Sequence, residues 1–321
     1  MGEMIATTKK VSTKATVPRS KLAKSAKFIP LYLMALPGLI YLFINNYMPL
    51  PGIIIAFKKY SAKLGIFGSP WVGLKNFQFL FKTSDAWIIT RNTLLYNFGF
   101  IIINTVLAIL VAIILSELRS RMKKFYQSAI LLPNLISIVI VSYLVFAFLS
   151  VDNGFINKTI LPLFGINPVK WYSDTSPWPF ILILVSAWRS VGYMCIIYLA
   201  AIIGFDKSYY EAALIDGASK MQQIFRITIP LLKPTIILLT MMAIGRIFYS
   251  DFGLFYQVPQ NQGALYSVTN TIDTYVYRGL LQLGNIEMSS AAGFYQSVVG
   301  FILVLSANLL LRKIDRESAL F

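Results

Sequence analysis

Residues 211–230 read EAALIDGASKMQQIFRITIP, a polar stretch set between segments that are almost wholly apolar. Ser208-Tyr209-Tyr210-Glu211 has the S-x-x-E form of a capping box, which predicts a short helix carrying Glu211, Ala212, Ala213, Leu214 and Ile215. Gly217 then stands where a helix end needs a left-handed residue. Ser219-Lys220-Met221-Gln222 offers a second box and a second short helix through Phe225, and Pro230 opens the next apolar segment. Two short helices about a glycine elbow form a compact knob. Ala212 and Ala213 let a partner backbone come close, while Leu214, Ile215, Met221 and Phe225 supply apolar surface. An amphipathic loop lying on lipid headgroups has the same composition, so the residues alone leave both readings open.

The surroundings of that stretch say what kind of protein carries it. The chain has 321 residues, 57% of them hydrophobic and only 13% charged, with a mean hydropathy of +0.67. Soluble domains are about a quarter charged, so this balance points to a membrane protein. The net charge of +16 sits at the ends of apolar runs rather than on one solvated face, which argues against nucleic-acid binding. Histidine is absent, which removes the commonest general base and metal ligand. The single cysteine, Cys195, lies inside an apolar run and reads as a small buried hydrophobe.

Six stretches are long enough to cross a bilayer core of about 20 apolar residues. They are Phe28–Phe57, Asn92–Ser116, Phe125–Val151 and Met288–Leu311, with Thr175–Phe205 interrupted by Arg189 and Pro234–Ser250 by Arg246. In the first, Pro49-Leu50-Pro51-Gly52 predicts a span over about 30–48 followed by a bend. The expected organisation is a basic cytosolic tail at 1–27, a first span and extracytoplasmic segment at 28–91, a five-helix core at 92–311 and a cytosolic tail at 312–321. The Lys- and Ser-rich 1–27 segment is expected to be flexible and uncleaved, because the apolar run after it is too long for a signal peptide. Basic residues cluster in that tail, in Arg119-Arg121-Lys123-Lys124 and in Arg312-Lys313-Arg316. Six spans with both termini cytoplasmic satisfy the positive-inside rule and place the loop at 204–230 in the cytoplasm. One segment runs against that rule: Lys58 to Arg91, on the outer side, also carries six basic residues.

The pattern Glu211-Ala212-Ala213, Gly217, then Ile227-Thr228-Ile229-Pro230 resembles the EAA loop of bacterial ABC importer membrane subunits, with Ile229 in place of the usual leucine. Asp216-Gly217-Ala218-Ser219 is similar to the carbohydrate-importing branch. Ser250 to Val258, Asp273 to Tyr277 and Arg312 to Phe321 resemble polysaccharide and oligosaccharide permeases of the kind that includes the alginate importer's first membrane subunit and LplB-type permeases. The resemblance implies an all-α membrane protein with six transmembrane helices, the type I (maltose-permease-like) importer fold and a cytoplasmic EAA coupling helix in the bacterial inner membrane. It further implies that Glu211, Ala212, Ala213, Asp216 and Gly217 couple the chain to two ATPase subunits. A second related permease subunit and an extracytoplasmic solute-binding protein complete the expected assembly, which takes up oligosaccharides or polysaccharide fragments by alternating access. No G-x-x-x-x-G-K-[ST] loop occurs, so the chain is expected to be no enzyme and to hold no cofactor, with ATP and Mg on the partners.

Charges inside spans are costly and therefore candidates for the translocation pathway. Arg189 lies about 11 residues into the fourth span, ~16 Å deep at 1.5 Å per residue. Arg246 lies toward the outer end of the fifth span with Asp251 five residues on, and Tyr256 belongs to a group of aromatics whose faces suit sugar rings. Each arginine could instead pair with an acid or carbonyl and fix helix packing, and the aromatics could form an interfacial belt. An arginine facing the pathway would suit an anionic sugar such as a uronate. An ion-driven secondary sugar transporter is the alternative function, but the halves show no convincing internal repeat and such a carrier has no need of a docking knob. A membrane enzyme lacks histidine, a metal cluster and paired intramembrane acids.

Overall fold

The computed structural model describes residues 28–314, so the predicted tails at 1–27 and beyond 314 lie outside the described residues. The chain divides into two units, Met1–Ile53 and Ile54–Phe321. In the first, helix α1 (Ile29–Leu42) carries a proline in its first turn and passes into a π turn, Phe43–Tyr47. At the predicted Pro49–Gly52 break the regular helix ends: a turn at Met48 and Pro49 leads into a 3-10 helix, Leu50–Phe57.

The second unit holds α2 (Ser84–Glu117), α3 (Ser120–Leu135), α4 (Ile138–Leu149), α5 (Trp178–Ile203) and α6 (Ser208–Ile215). They are followed by α7 (Lys220–Ile244), α8 (Phe252–Gln257), α9 (Ile272–Tyr277) and α10 (Ile286–Ile314). No strand occurs among the described residues beyond one isolated bridge, Lys58 to Trp71. Among the described residues, five helical segments are long and apolar enough to cross a membrane: Ile29–Phe57, Ser84–Glu117, Trp178–Ile203, Lys220–Ile244 and Ile286–Lys313. The third predicted span is not one straight helix. α3 and α4 meet at 94° and make the sixth span only as a broken pair. The break follows Pro133, and Ser137 accepts the Val139 N–H to cap α4.

α2 is the spine. Its Ala86 and Ile89 join one apolar core with Phe77, Phe248 and Ala291 of other elements. Tyr96 joins a second with Val141, Trp178, Leu182 and Phe255. Ala108, Ala112 and Leu115 join a third with Cys195, Tyr198, Leu199 and Leu232. Small residues four apart on α2 let α5 come close, as packing within lipid requires. Cys195 is wholly buried there as the expected small hydrophobe. Where α5 crosses α3 the approach is closer still: a Cβ on Gly192 would lie 1.8 Å from the Ile130 carbonyl oxygen.

Between α7 and α10 the chain is irregular, and α2 satisfies its polar backbone. Asn97 Nδ2 donates to the Ile247 and Tyr249 carbonyls at 3.0 Å each. Asn92 Nδ2 donates to the Asn270 carbonyl at 2.9 Å, and Thr93 Oγ1 accepts the Ile272 N–H at 3.1 Å. Non-helical backbone at membrane depth is tolerated only when protein supplies its partners, and a polar face of α2 supplies several of them here.

Candidate functional site

The loop of residues 204–230 forms two short helical pieces, but the first begins differently from the expected box. Ser208 is the first residue of α6 rather than its cap, and no side chain caps that helix. The Asp206 carboxylate accepts the Ser208 N–H at 2.9 Å, so the acid two residues upstream has taken the donor that a Ser208 box would have organised. That N–H, with the Ser208 hydroxyl, holds the Asp206 carboxyl below the usual carboxylate range. The second box is real. Ser219 Oγ accepts the Gln222 N–H and the Gln222 side chain accepts the Ser219 N–H at 2.7 Å.

Gly217 has φ +77°, and the turn around it is a complete Schellman closure. Its N–H donates to the Leu214 carbonyl at 3.1 Å and the Ala218 N–H donates to the Ala213 carbonyl at 2.8 Å. The predicted second short helix does not stop at Phe225. It runs through a π turn, Ile224–Thr228, into the fifth span, so that Lys220–Ile244 is one helical segment. The π turn shifts the hydrogen-bond register just before Pro230, which opens the following α turn, and Pro234 lies inside the helix beyond it. This span therefore starts well before Pro234 and ends before Arg246.

Glu211, Ala212, Asp216 and Gly217 are exposed and Ala213 is half-buried. Leu214, Met221 and Phe225 are also exposed, and Ile215 is 87% exposed. This is an apolar surface with nothing on it in the isolated chain. Its base is tied down: Lys220 Nζ reaches Glu117 Oε2 of α2 at 3.0 Å, and the Tyr210 and Thr228 hydroxyls meet at 3.0 Å. Glu211, Glu117, Lys123, Lys207 and Lys220 line a cavity of about 500 Å³ beneath the loop.

The expected pathway residues separate. Arg189 Nη1 pairs with Asp251 Oδ2 at 3.2 Å, with side-chain exposures of 19% and 50%. Asp251 therefore belongs to Arg189 rather than to Arg246. Its other oxygen accepts the Leu254 N–H at 3.1 Å and caps α8. Arg246 falls in the turn after α7, exposed, and no acid pairs with it among the described residues. Tyr256 stacks on Phe252 at 5.0 Å and meets Tyr277 edge-on at 5.0 Å, a three-ring cluster. Neighbouring aromatics do not join it. Phe255 packs on Tyr96, Tyr275 on Phe79, and Tyr266 lies under the Arg278 guanidinium.

Two polar centres had no role assigned from sequence. Asp273 Oδ2 accepts the Ser250 N–H and hydroxyl, both at 2.7 Å, and Gln296 Nε2 at 3.1 Å. Arg278 is buried among neutral acceptors, Asn261 Oδ1 at 2.9 Å, Thr274 Oγ1 at 3.1 Å and Asn270 Oδ1. Both centres clamp the segment between α7 and α10.

Broken and irregular helices held inside a bundle, with an apolar knob on one end, define a membrane transport subunit. Residues 104–316 match the family described as binding-protein-dependent transport system inner membrane component, and the chain belongs to that family. The polygalacturonan/rhamnogalacturonan transport system permease protein YteP of Bacillus subtilis is 39% identical over 288 residues, 89% of each chain. Protein LplB of the same organism is 35% identical over 89% of this chain and 90% of its own length. A solved bacterial ABC transporter involved in the import of the acidic polysaccharide alginate contains a chain with TM-score 0.83 and 33% identity, covering 92% of this chain and all of that one. A second structure, the alginate transporter with alginate pentasaccharide-bound periplasmic protein, matches at TM-score 0.82. The chain is thus a permease subunit of an ABC importer, and the ion-driven alternative finds no support.

Proposed function

We propose that this chain carries acidic oligosaccharides or polysaccharide fragments across the bacterial inner membrane by alternating access, with both termini cytoplasmic. Energy comes from ATP and Mg bound on two separate ATPase subunits. A second, related permease and a loaded extracytoplasmic binding protein complete the path. The observation that carries this reading is the exposed apolar knob, Leu214 and Ile215 of α6 joined by a Schellman elbow to Met221 at the start of α7, with α7 itself running on as a helix long and apolar enough to span a membrane. A surface helix on lipid has no need of that continuity. Closure of the ATPase pair would displace the knob, and each partner would favour the state it binds more tightly.

The acidic character of the cargo rests on the arginines together with the names of the relatives. With Asp251 committed to Arg189, Arg246 is one surplus cation at the outer end of a span, suited to a uronate carboxylate. The test is substrate-stimulated ATPase activity of the reconstituted complex with Glu211→Ala and Gly217→Pro beside wild type. Assembled variants that lose stimulation support the coupling role; stimulation that persists in assembled variants refutes it. Uptake of a uronate oligomer against a neutral one of equal length, with Arg246→Gln, tests the cargo. Unchanged discrimination refutes the part assigned to Arg246.

A further inference from the structure

The outer segment that ran against the positive-inside rule is a rigid collar rather than a loose loop. Lys59 N–H donates to the Pro70 carbonyl and Val72 N–H to the Phe57 carbonyl, both at 2.9 Å, closing a loop at its neck. Lys58 is the filling of that loop. Only 3% exposed, it donates through Nζ to the Ile66 and Phe67 carbonyls at 3.0 and 2.7 Å and lies under the Trp71 ring. Asn76 Nδ2 ties the neck to the next turn through the Ala56 and Lys58 carbonyls. The rings of Phe57, Phe77 and Phe294 lock the collar onto α10 with centroids 5.2–5.8 Å apart.

What the collar displays is basic and aromatic together. Lys59, Lys63, Lys75 and Lys82 are exposed, no acid occurs between residues 54 and 84, and none of the four pairs with an acid among the described residues. Phe67, Trp71, Leu74 and Phe81 are exposed, Phe81 at 88%. Between the collar and α10 runs an apolar groove of about 680 Å³, lined by Leu74, Phe77, Phe81, Phe294 and Val298, with Lys75 also in its wall. Position places this groove at the membrane rim. α2 has 34 residues, or ~51 Å at 1.5 Å per residue, against ~30 Å of hydrocarbon. Its far end at Glu117 is bonded to the coupling loop, so its Ser84 end and the collar lie on the opposite face.

We infer that this groove binds an anionic phospholipid, with an acyl chain along Leu74, Phe81, Phe294 and Val298 and the headgroup phosphate at Lys75. The neighbouring lysines add the long-range attraction, and the aromatics sit at headgroup depth. The buried Lys58 ammonium makes the collar rigid enough to hold a lipid rather than fold around one. The segment then obeys membrane electrostatics after all: its charge answers lipid phosphate and says nothing about orientation.

The test uses the assembled transporter reconstituted with chain-spin-labelled phosphatidylglycerol or phosphatidylcholine, reading the motionally restricted fraction by EPR. Wild type should hold more restricted phosphatidylglycerol than phosphatidylcholine, and replacing Lys59, Lys63, Lys75 and Lys82 by Gln should reduce that excess by about fivefold or more, the size expected of even one lysine near an anionic surface. Val298→Trp, which fills the groove and leaves every charge in place, should remove the same phosphatidylglycerol excess. Three results would overturn the inference: equal restriction of both lipids in wild type, an excess that survives the four substitutions, or release of the restricted lipid when loaded binding protein is added. The last would assign the surface to that protein.

Discussion

Substituting Gly192 by alanine tests whether the close backbone approach of α5 to α3 holds the bundle together. The added Cβ would lie 1.8 Å from the Ile130 oxygen and 2.6 Å from its carbonyl carbon. Since Cβ atoms essentially never come within 3.0 Å of such atoms, α3 and α5 must part by about 1.2 Å. Both obstacles are backbone, so no rotamer change relieves them. Overpacking costs ~1–3 kcal/mol where side chains can shift, and a backbone clash falls at or above the top of that range. The mid-helix glycine Gly99 is the matched control, with nothing within 4 Å of its added Cβ. There alanine should be neutral or gain up to about 1 kcal/mol of helix propensity. In detergent, heating followed by fluorescence-detected size exclusion should show Gly192→Ala lowered by on the order of 5–10 °C, with Gly99→Ala unchanged or raised. Equal melting of the two variants would refute the argument that contact at Gly192 positions α3 against α5.

The two boxes in the loop make opposite predictions from similar sequences. Ser219→Ala removes a used cap and should cost ~1 kcal/mol, read as faster hydrogen exchange over 220–225, whereas Ser208→Ala should leave exchange over 209–215 within about 0.5 kcal/mol of wild type. Asp251→Asn leaves the Arg189 guanidinium without its counter-ion; half-exposure of the acid tempers the loss to about 1–2 kcal/mol of thermal stability, and Arg189→Met with Asp251→Asn should recover part of it. The Lys220–Glu117 pair is well exposed on both sides, so Glu117→Gln should change stability by less than about 1 kcal/mol, and the difference should vanish in high salt.

What could be read from the sequence follows from which physical demand dominates locally. The spans were legible because only an apolar run survives in hydrocarbon, and their ends were not because helical hydrogen bonding outruns the apolar run. α2 begins at Ser84 rather than Asn92, and α7 at Lys220 rather than Pro234. The uncharged run Phe125–Val151 hid a 94° turn, since hydrophobicity is blind to direction. Gly217 was legible because a positive φ at a helix end selects glycine almost alone. Ser208 misled because two residues upstream Asp206 competes for the same donor. Arg189 was found by the cost of its charge, but its partner is 62 residues away and no periodicity connects them. Asp273 stayed hidden for the same reason: Ser250 and Gln296, which surround it, come from separate elements.

The unbroken run from Lys220 to Ile244 makes the fifth span a lever with its handle outside the membrane. Its 25 residues reach ~37 Å at 1.5 Å per residue, so a tilt of about 5° at the loop end carries the far end roughly 3 Å sideways. A hinge between handle and arm would absorb so small a stroke. Here the π turn alters the pitch of the rod without cutting it, so a displacement of a few ångströms at Lys220 would arrive at Ile244 as movement of the span rather than as slack.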